Sequence, residues 1–292
     1  MKCLFKLISL LSLATLHRLG SILGCLAYAL GGSYRRKMLA NLKQAGFDPK
    51  ELTPVVKRHL GMQGLETPWV WMRSNADVYE HVFVDEQSKN VIRRALDSGR
   101  SIIFMTPHVG CFEIAPIWVY EAFLKQYGKT MTVLYREPKL PCLRELVATG
   151  RLRDGMDPAK ADLSGVRKIL KAMKAGGIMG CLPDQVPGRG EGVWADFFGR
   201  PAFTMTFPLK MARQFDAIRI MAWTVRLPGK GWELSVVEWD EPLTGDLQTD
   251  ARAMNRVLEE TIKKVPDQYI WSYNRYKIPR GVKAPEQLGR KE

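Results

Sequence analysis

The sequence predicts an α/β protein with a largely parallel central sheet flanked by helices, preceded by an N-terminal hydrophobic membrane helix. Three observations carry this reading. The apolar runs 102–105, 131–135 and 178–182 have the length of buried strands. Each ends at a polar residue and is followed by a helical pattern, so strand, site residue and helix repeat three times, as crossover connections between parallel strands do. The 292 residues, 46% of them apolar, are enough for a core that needs no disulfide or metal staple.

Residues 1–33 read as a membrane-anchoring or interfacial segment, 34–280 as the main domain and 281–292 as a polar tail. Lys6, His17 and Arg18 cut the first apolar stretch into pieces shorter than the roughly 20 residues of a comfortable span. A marginal transmembrane helix and a helix lying in the interface both remain open. No small-x-small site follows that would suit cleavage of a leader. Arg35, Arg36, Lys37 and Lys43 come next, and the positive-inside rule puts the body on the cytoplasmic side. The GxxxG spacing of Gly20 and Gly24 is given no weight.

Further along, 34–46 reads as a basic amphipathic helix, 51–72 as a longer helix ending in Trp69, Trp71 and Met72, 79–85 as an edge strand and 88–98 as a helix. After the second strand, Leu140, Leu143, Leu146 and Val147 suggest a helix, and 154–162 a charged loop. Spacing at Val166, Ile169, Leu170 and Met173 predicts a helix over 163–175. The glycines and aromatics of 185–204 suggest a mobile flap over the cleft. Residues 205–214 are helical, 217–226 and 232–237 are strands of a hairpin turning at 228–231, and 249–264 is an amphipathic helix.

The chemistry centres on SIIFMTPHVGCFE, residues 101–113. His108 stands where a strand stops, and in open α/β sheets the carboxyl ends of strands face the ligand crevice. The reversal at Gly110 can bring the Glu113 carboxylate back to the imidazole. That would hold one ring nitrogen and leave the other free to take a proton from a hydroxyl. The plain alternative makes His108 a strand cap and Glu113 a first-turn acid favoured by the helix dipole. Arg136 and Asp184 end the next two strands, so parallel neighbours would place them on the same edge as His108. Taken singly, Arg136 could pair with Glu137 or Glu145, and Asp184 could merely open a turn.

Five blocks in this order resemble the late lauroyl/myristoyl acyltransferases of lipid A biosynthesis, within the glycerolipid acyltransferase superfamily. They are His108 with Glu113; Tyr135, Arg136 and Pro138; Asp184, Gln185 and Gly188; Phe197, Phe198, Gly199, Ala202 and Thr204; and Gln268, Tyr269, Trp271, Arg275, Tyr276 and Lys277. Where many relatives read Trp-x-His-Arg-Arg-Phe-Lys, this chain has Tyr273 and Asn274 in the third and fourth places. The resemblance implies a membrane-bound acyltransferase with His108 as general base and Glu113 as its partner, and with Arg136, Asp184, Gln185 and Arg275 binding substrate. It implies no metal and no cofactor beyond an acyl-carrier-protein thioester as co-substrate. The expected partners are acyl carrier protein, a phosphorylated glycolipid and the membrane, at the cytoplasmic face of the inner membrane.

Composition narrows the rivals. The formal charge of +14 suits an anionic membrane, phosphorylated lipid or an acidic carrier protein. Nucleic acid is not expected, since no zinc spacing, basic helix pattern or RNP-like strand is present. The five cysteines have no metal spacing and read as reduced thiols. Cys111, inside the motif, offers a covalent route as a minor alternative. An acyltransferase for a glycerophospholipid or another glycolipid, a thioesterase or phospholipase, and a non-catalytic membrane-binding protein complete the field; no GxSxG supports the hydrolases.

Overall fold

The computed structural model describes residues 2–137, 144, 147 and 150–285. One seven-stranded sheet organises them: β1 (Val82–Phe83), β2 (Ile102–Met105), β3 (Met131–Tyr135), β4 (Met156–Lys160), β5 (Ile178–Cys181), β8 (Ile218–Leu227) and β9 (Gly231–Glu238). Their order is β1-β9-β8-β2-β5-β3-β4, parallel throughout except for the β8–β9 hairpin. A separate antiparallel pair joins β6 (Gly192–Phe197) to β7 (Arg200–Met205).

The central strands β2 and β5 carry no charged side chain and are buried along their whole length, as strands covered on both faces must be. Alternation divides their side chains between two cores. Ile103, Met105, Met179 and Cys181 pack with Ile169 and Met173 of α8 (Leu163–Lys174) and with Met254, Leu258 and Ile262 of α10 (Leu247–Lys264). Ile102, Phe104 and Ile178 pack with Ile92 and Leu96 of α6 (Glu86–Asp97) and with Ile114 and Ile117 of α7 (Ile114–Val119). Asp85, Asp162 and Asp246 cap α6, α8 and α10 by accepting backbone N–H groups of the first turn. α9 (Phe207–Gln214) and α5 (Asn75–Tyr79) complete the shell.

Three regions depart from the sequence reading. The charged segment 154–162 contains β4, an edge strand held by its parallel ladder to β3. The segment 185–204 is no flap: from 192 onward it forms the β6–β7 hairpin, whose Phe197, Ala202 and Phe203 are buried. Asn255 of α10 clamps it, donating to the Asp196 carbonyl at 2.9 Å and to Thr204 Oγ1 at 3.0 Å. Gly20 and Gly24 also have a structural use. Of the expected helix through Leu140, Leu143 and Leu146, those three residues lie outside the described ones, as does Pro138.

The N-terminal quarter is helical: α1 (Lys2–Ser9), α2 (Leu13–Leu30), α3 (Gly32–Gln44) and α4 (Pro49–Met72). Among the described residues, α2 alone is long and apolar enough to cross a membrane, yet one of its faces lies against α4. A Cβ on Gly24 would sit 1.9 Å from the Lys57 carbonyl oxygen, and one on Gly61 would sit 1.9 Å from that of Gly20. The two backbones touch only because these residues lack side chains.

A buried polar cluster locks the same junction. Glu66 of α4 has no exposed surface; it accepts from Arg226 Nε of β8 at 2.7 Å, again from Arg226 Nη2, and from Trp232 Nε1 at 3.2 Å. His17 of α2 takes the Gly229 N–H on Nδ1 at 2.9 Å, so its proton lies on Nε2, which donates to Glu66 at 2.9 Å. Burial pushes the Glu66 carboxyl up, but the charge and hydrogen bonds of Arg226 outweigh it and hold the group at about 2. His59 accepts from Arg226 Nη1 on Nδ1 at 3.2 Å. Burial, and then the Arg226 charge, lower its pKa to about 4 from an ordinary 6.5.

Acid should loosen this junction. Between about 6.5 and 4 an unfolded chain protonates His59 and the folded one does not, so stability falls as pH falls through that window. Glu66 adds a further loss below its ordinary value near 4.5. The thermal midpoint should therefore drop from pH 6.5 to 4, and His59→Gln should flatten that slope; equal slopes would mean another group titrates.

Candidate active site

β2, β5 and β3 are adjacent and parallel, so the residues just beyond their carboxyl ends meet at one sheet edge. His108 follows β2, Asp184 follows β5 and Arg136 follows β3. The turn after β2 is fixed by the backbone: the Gly110 N–H donates to the Gln268 carbonyl at 3.1 Å and the Ile270 N–H to the His108 carbonyl at 3.2 Å. Gly110 has φ +56°, and a Cβ there would fall 1.9 Å from the Thr224 carbonyl oxygen. No other residue type fits this position.

Asp184 holds the histidine at two points. Its Oδ1 lies 2.7 Å from His108 Nδ1, and Oδ2 accepts the His108 backbone N–H at 2.9 Å. The carboxyl is 1% exposed. Burial pushes its pKa up, but the attraction it would exert on a protonated His108 and the hydrogen bonds from that residue, with Arg275 nearby, bring it below the usual carboxylate range. An ionised acceptor on Nδ1 keeps the ring proton there and leaves Nε2 with its lone pair. The Gln185 side-chain amide nitrogen is 3.1 Å from Nε2, and the Phe112 ring stands edge-on to the imidazole at 4.7 Å between centroids.

Glu113 is elsewhere. The expected return of its carboxylate to the imidazole does not occur, because Arg151 takes both oxygens: Nε donates to Oε2 at 3.2 Å and Nη2 to Oε1. The Gly110 turn, tied to Gln268, directs the chain from Cys111 to Glu113 toward that arginine. Arg151 also lies against the rings of Trp71 and Tyr135, at 6.0 and 5.9 Å from their centroids.

Two adjoining hollows open at this edge. One is lined by His108, Tyr135, Arg136, Gln185 and Val186; the other is mostly apolar, with Phe104, Met131, Val133, Met156 and Gly180. Phe112, Leu134, Arg151 and Leu182 line both, so an apolar crevice continues from the hollow that His108 lines. Arg136 and Gln185, named from the sequence as substrate-binding residues, line the first hollow. Arg275 does not: it is 2% exposed, donates to the Phe203 carbonyl at 2.8 Å and to Thr204 Oγ1 at 2.9 Å, and lies 5.0 Å from the Phe197 ring centroid. It braces the β6–β7 hairpin. Asp184, also named for substrate binding, is likewise closed off and faces His108.

Cys111 is fully buried, and burial, then the charge of Glu66, raise its thiol pKa well above normal. A protonated thiol in that place gives the covalent route no nucleophile. Among the described residues no group of three or more His, Cys, Asp or Glu side chains could hold a metal ion. Arg151 is the site residue that sequence reasoning missed; the RLRD run at 151–154 flags a charge cluster, but only the fold selects Glu113 as its partner.

Residues 3–278 match the family of bacterial lipid A biosynthesis acyltransferases. The chain belongs to this family. Among its relatives, a lipid A biosynthesis acyltransferase of Haemophilus influenzae is 28% identical over 80% of this chain and 66% of its own length. A lipid A biosynthesis lauroyltransferase of Escherichia coli is 32% identical over 51% of this chain and 49% of its own. A palmitoleoyltransferase of the same organism is 24% identical over 75% of this chain and 69% of its own. The chain thus spans about two thirds of the first relative and half of the second. Family membership bears out the resemblance carried by the five blocks, and the mostly parallel sheet bears out the α/β reading.

The thiols report directly on this geometry. A water-soluble maleimide should modify the exposed Cys3 in the native protein and reach the buried Cys111 and Cys181 only after unfolding; rapid native labelling of Cys111, read by peptide mass spectrometry, would contradict its enclosure.

Proposed function

We propose that this protein is a membrane-bound acyltransferase that moves a fatty acyl chain of the lauroyl or myristoyl type from an acyl-carrier-protein thioester to a hydroxyl of a lipid A precursor. The observation that carries this reading is the His108 imidazole, fixed on Nδ1 by buried Asp184 and presenting Nε2 to a hollow that opens into an apolar crevice. The relatives' names supply the acceptor class, and the charge of +14 suits an acidic carrier protein and an anionic lipid surface.

In this mechanism the acceptor hydroxyl displaces the Gln185 amide and hydrogen-bonds to Nε2. His108 takes the hydroxyl proton as the oxygen attacks the thioester carbonyl. Asp184 keeps the tautomer and stabilises the imidazolium that forms. The oxyanion meets Arg136; the Gly110 amide is already committed to Gln268. Collapse expels the carrier thiolate, which recovers the proton from His108. Glu113 acts through Arg151, setting that cation between the two hollows, and the acyl chain lies in the apolar one. The cytoplasmic face of the inner membrane, where both co-substrates meet, is the site of action. An acceptor of glycerophosphate type is the second reading, since Arg136 and Arg151 would suit any lipid phosphate equally.

His108→Ala should lower transfer by roughly 10²- to 10⁴-fold or more while binding to vesicles persists. Asp184→Asn should cost about as much through the wrong tautomer, with Glu113→Gln milder. Mass spectrometry of the purified enzyme's product should show one added acyl chain on a lipid A precursor. A gain only on glycerophospholipid would move the acceptor, release of free fatty acid would make the protein a hydrolase, and full activity of His108→Ala would remove the mechanism.

A further inference from the structure

Helices α1 and α2 form an apolar surface that the fold leaves uncovered. Leu4 and Leu7 of α1, Leu10 in the turn, and Ile22, Leu26 and Leu30 of α2 are each more than half exposed. The other face of α2 is docked: Leu16, His17, Gly20 and Gly24 are buried. We propose that α1 and α2 lie flat in one leaflet of an anionic bilayer, their uncovered leucines in the acyl region, so that neither helix crosses the membrane. The inference deepens the reading of this chain as an enzyme of membrane lipids.

The register of α2 on α4 decides between lying and spanning. His17 meets Glu66, Gly20 meets Met62 and Gly61, and Gly24 meets Lys57, so the two helices run antiparallel side by side. At about 1.5 Å per residue α2 is roughly 27 Å long, and Gly24 lies near its middle. If α2 stood across the bilayer, α4 would stand with it, carrying Lys57 and the exposed Arg58 toward the hydrocarbon centre. Charged side chains at that depth are expensive. Detaching α2 would instead strip His17 from the buried Glu66–Arg226 pair. A flat orientation keeps every one of these contacts and immerses apolar side chains, while the exposed Arg18, one turn before Ile22, can reach up to the headgroups.

Charge selects the occupant. No carboxylate side chain occurs before Asp48, whereas Lys6, Arg18, Arg35, Arg36 and Lys37 are exposed along the same segment. Leucines flanked by cations alone complement an anionic headgroup layer, worth roughly 1 kcal/mol per basic residue near it. The same surface adjoins the site: Phe5 stacks on Trp71 at 6.4 Å, and Trp71 lies against Arg151, which lines both hollows. The leaflet thus meets the protein on the side where a lipid hydroxyl would enter.

The test uses the full chain with Cys3, Cys25 and Cys142 changed to Ser. Single cysteines at Leu7→Cys, Leu19→Cys, Leu26→Cys and Leu30→Cys carry a bimane probe. Each labelled protein is mixed with vesicles of phosphatidylethanolamine and phosphatidylglycerol containing lipids brominated at shallow, middle or deep positions. Similar shallow depths for all four probes, with weaker binding to phosphatidylcholine vesicles, is the expected result. Ile22→Glu with Leu26→Glu should reduce vesicle partition by about tenfold or more and leave circular dichroism unchanged. A steady change of depth from Leu19 to Leu30 would mean a spanning helix and overturn the proposal. So would absence of vesicle binding, or burial of the probes in a dimer seen by size exclusion. Transfer to a detergent-dispersed acceptor is measured in parallel: activity with no shallow insertion overturns the orientation alone, and shallow insertion without activity overturns the enzymatic reading alone.

Discussion

The Glu66 carboxylate is the point on which the rest of this structure depends. A charge with no exposed surface is tolerated only when its partners meet it with good geometry, and those partners come from three separate elements: His17 of α2, Arg226 of β8 and Trp232 of β9. Arg226 carries the constraint onward. Its N–H and carbonyl are both bonded by the Gln268 side chain, at 2.8 and 3.2 Å, and the Gln268 carbonyl receives the Gly110 N–H. One continuous set of hydrogen bonds therefore joins the N-terminal helices to the turn that presents His108.

The three carboxylates near the site have different work because their surroundings differ. Glu66 is sealed in and structural. Asp184, equally buried, has both oxygens on a single residue, which fixes the imidazole in position and tautomer. Glu113 is partly exposed and sits opposite a guanidinium that also faces the hollow. Arg151 stands between an apolar crevice and a polar hollow, so two chemically different surfaces adjoin at one cation.

Much of this is legible in the amino-acid sequence. Short apolar runs ending at His108, Arg136 and Asp184 announce parallel strands with a shared edge, since only a doubly covered strand is apolar on every residue. Gly110 announces a reversal. The hidden part is pairing at long range. His108 and Asp184 are separated by 76 positions, and a carboxylate five positions away was the natural local partner until Arg151 claimed it. Arg275 reads as a substrate-binding residue because nothing in its neighbourhood shows that the β6–β7 hairpin closes over it. Gly20 and Gly24 looked incidental because their contact, Gly61, lies on another helix.

The sequence by itself determined the fold class, the place of His108 at the end of a strand and the family, because periodicity and the order of short blocks are properties of the chain. Only the tertiary structure decided which acid meets His108, which arginine faces the hollow and which side of α2 stays uncovered. Those are outcomes of packing: a carboxylate or a helix face acquires its role from whatever the fold sets against it, and that neighbour is written far away in the chain.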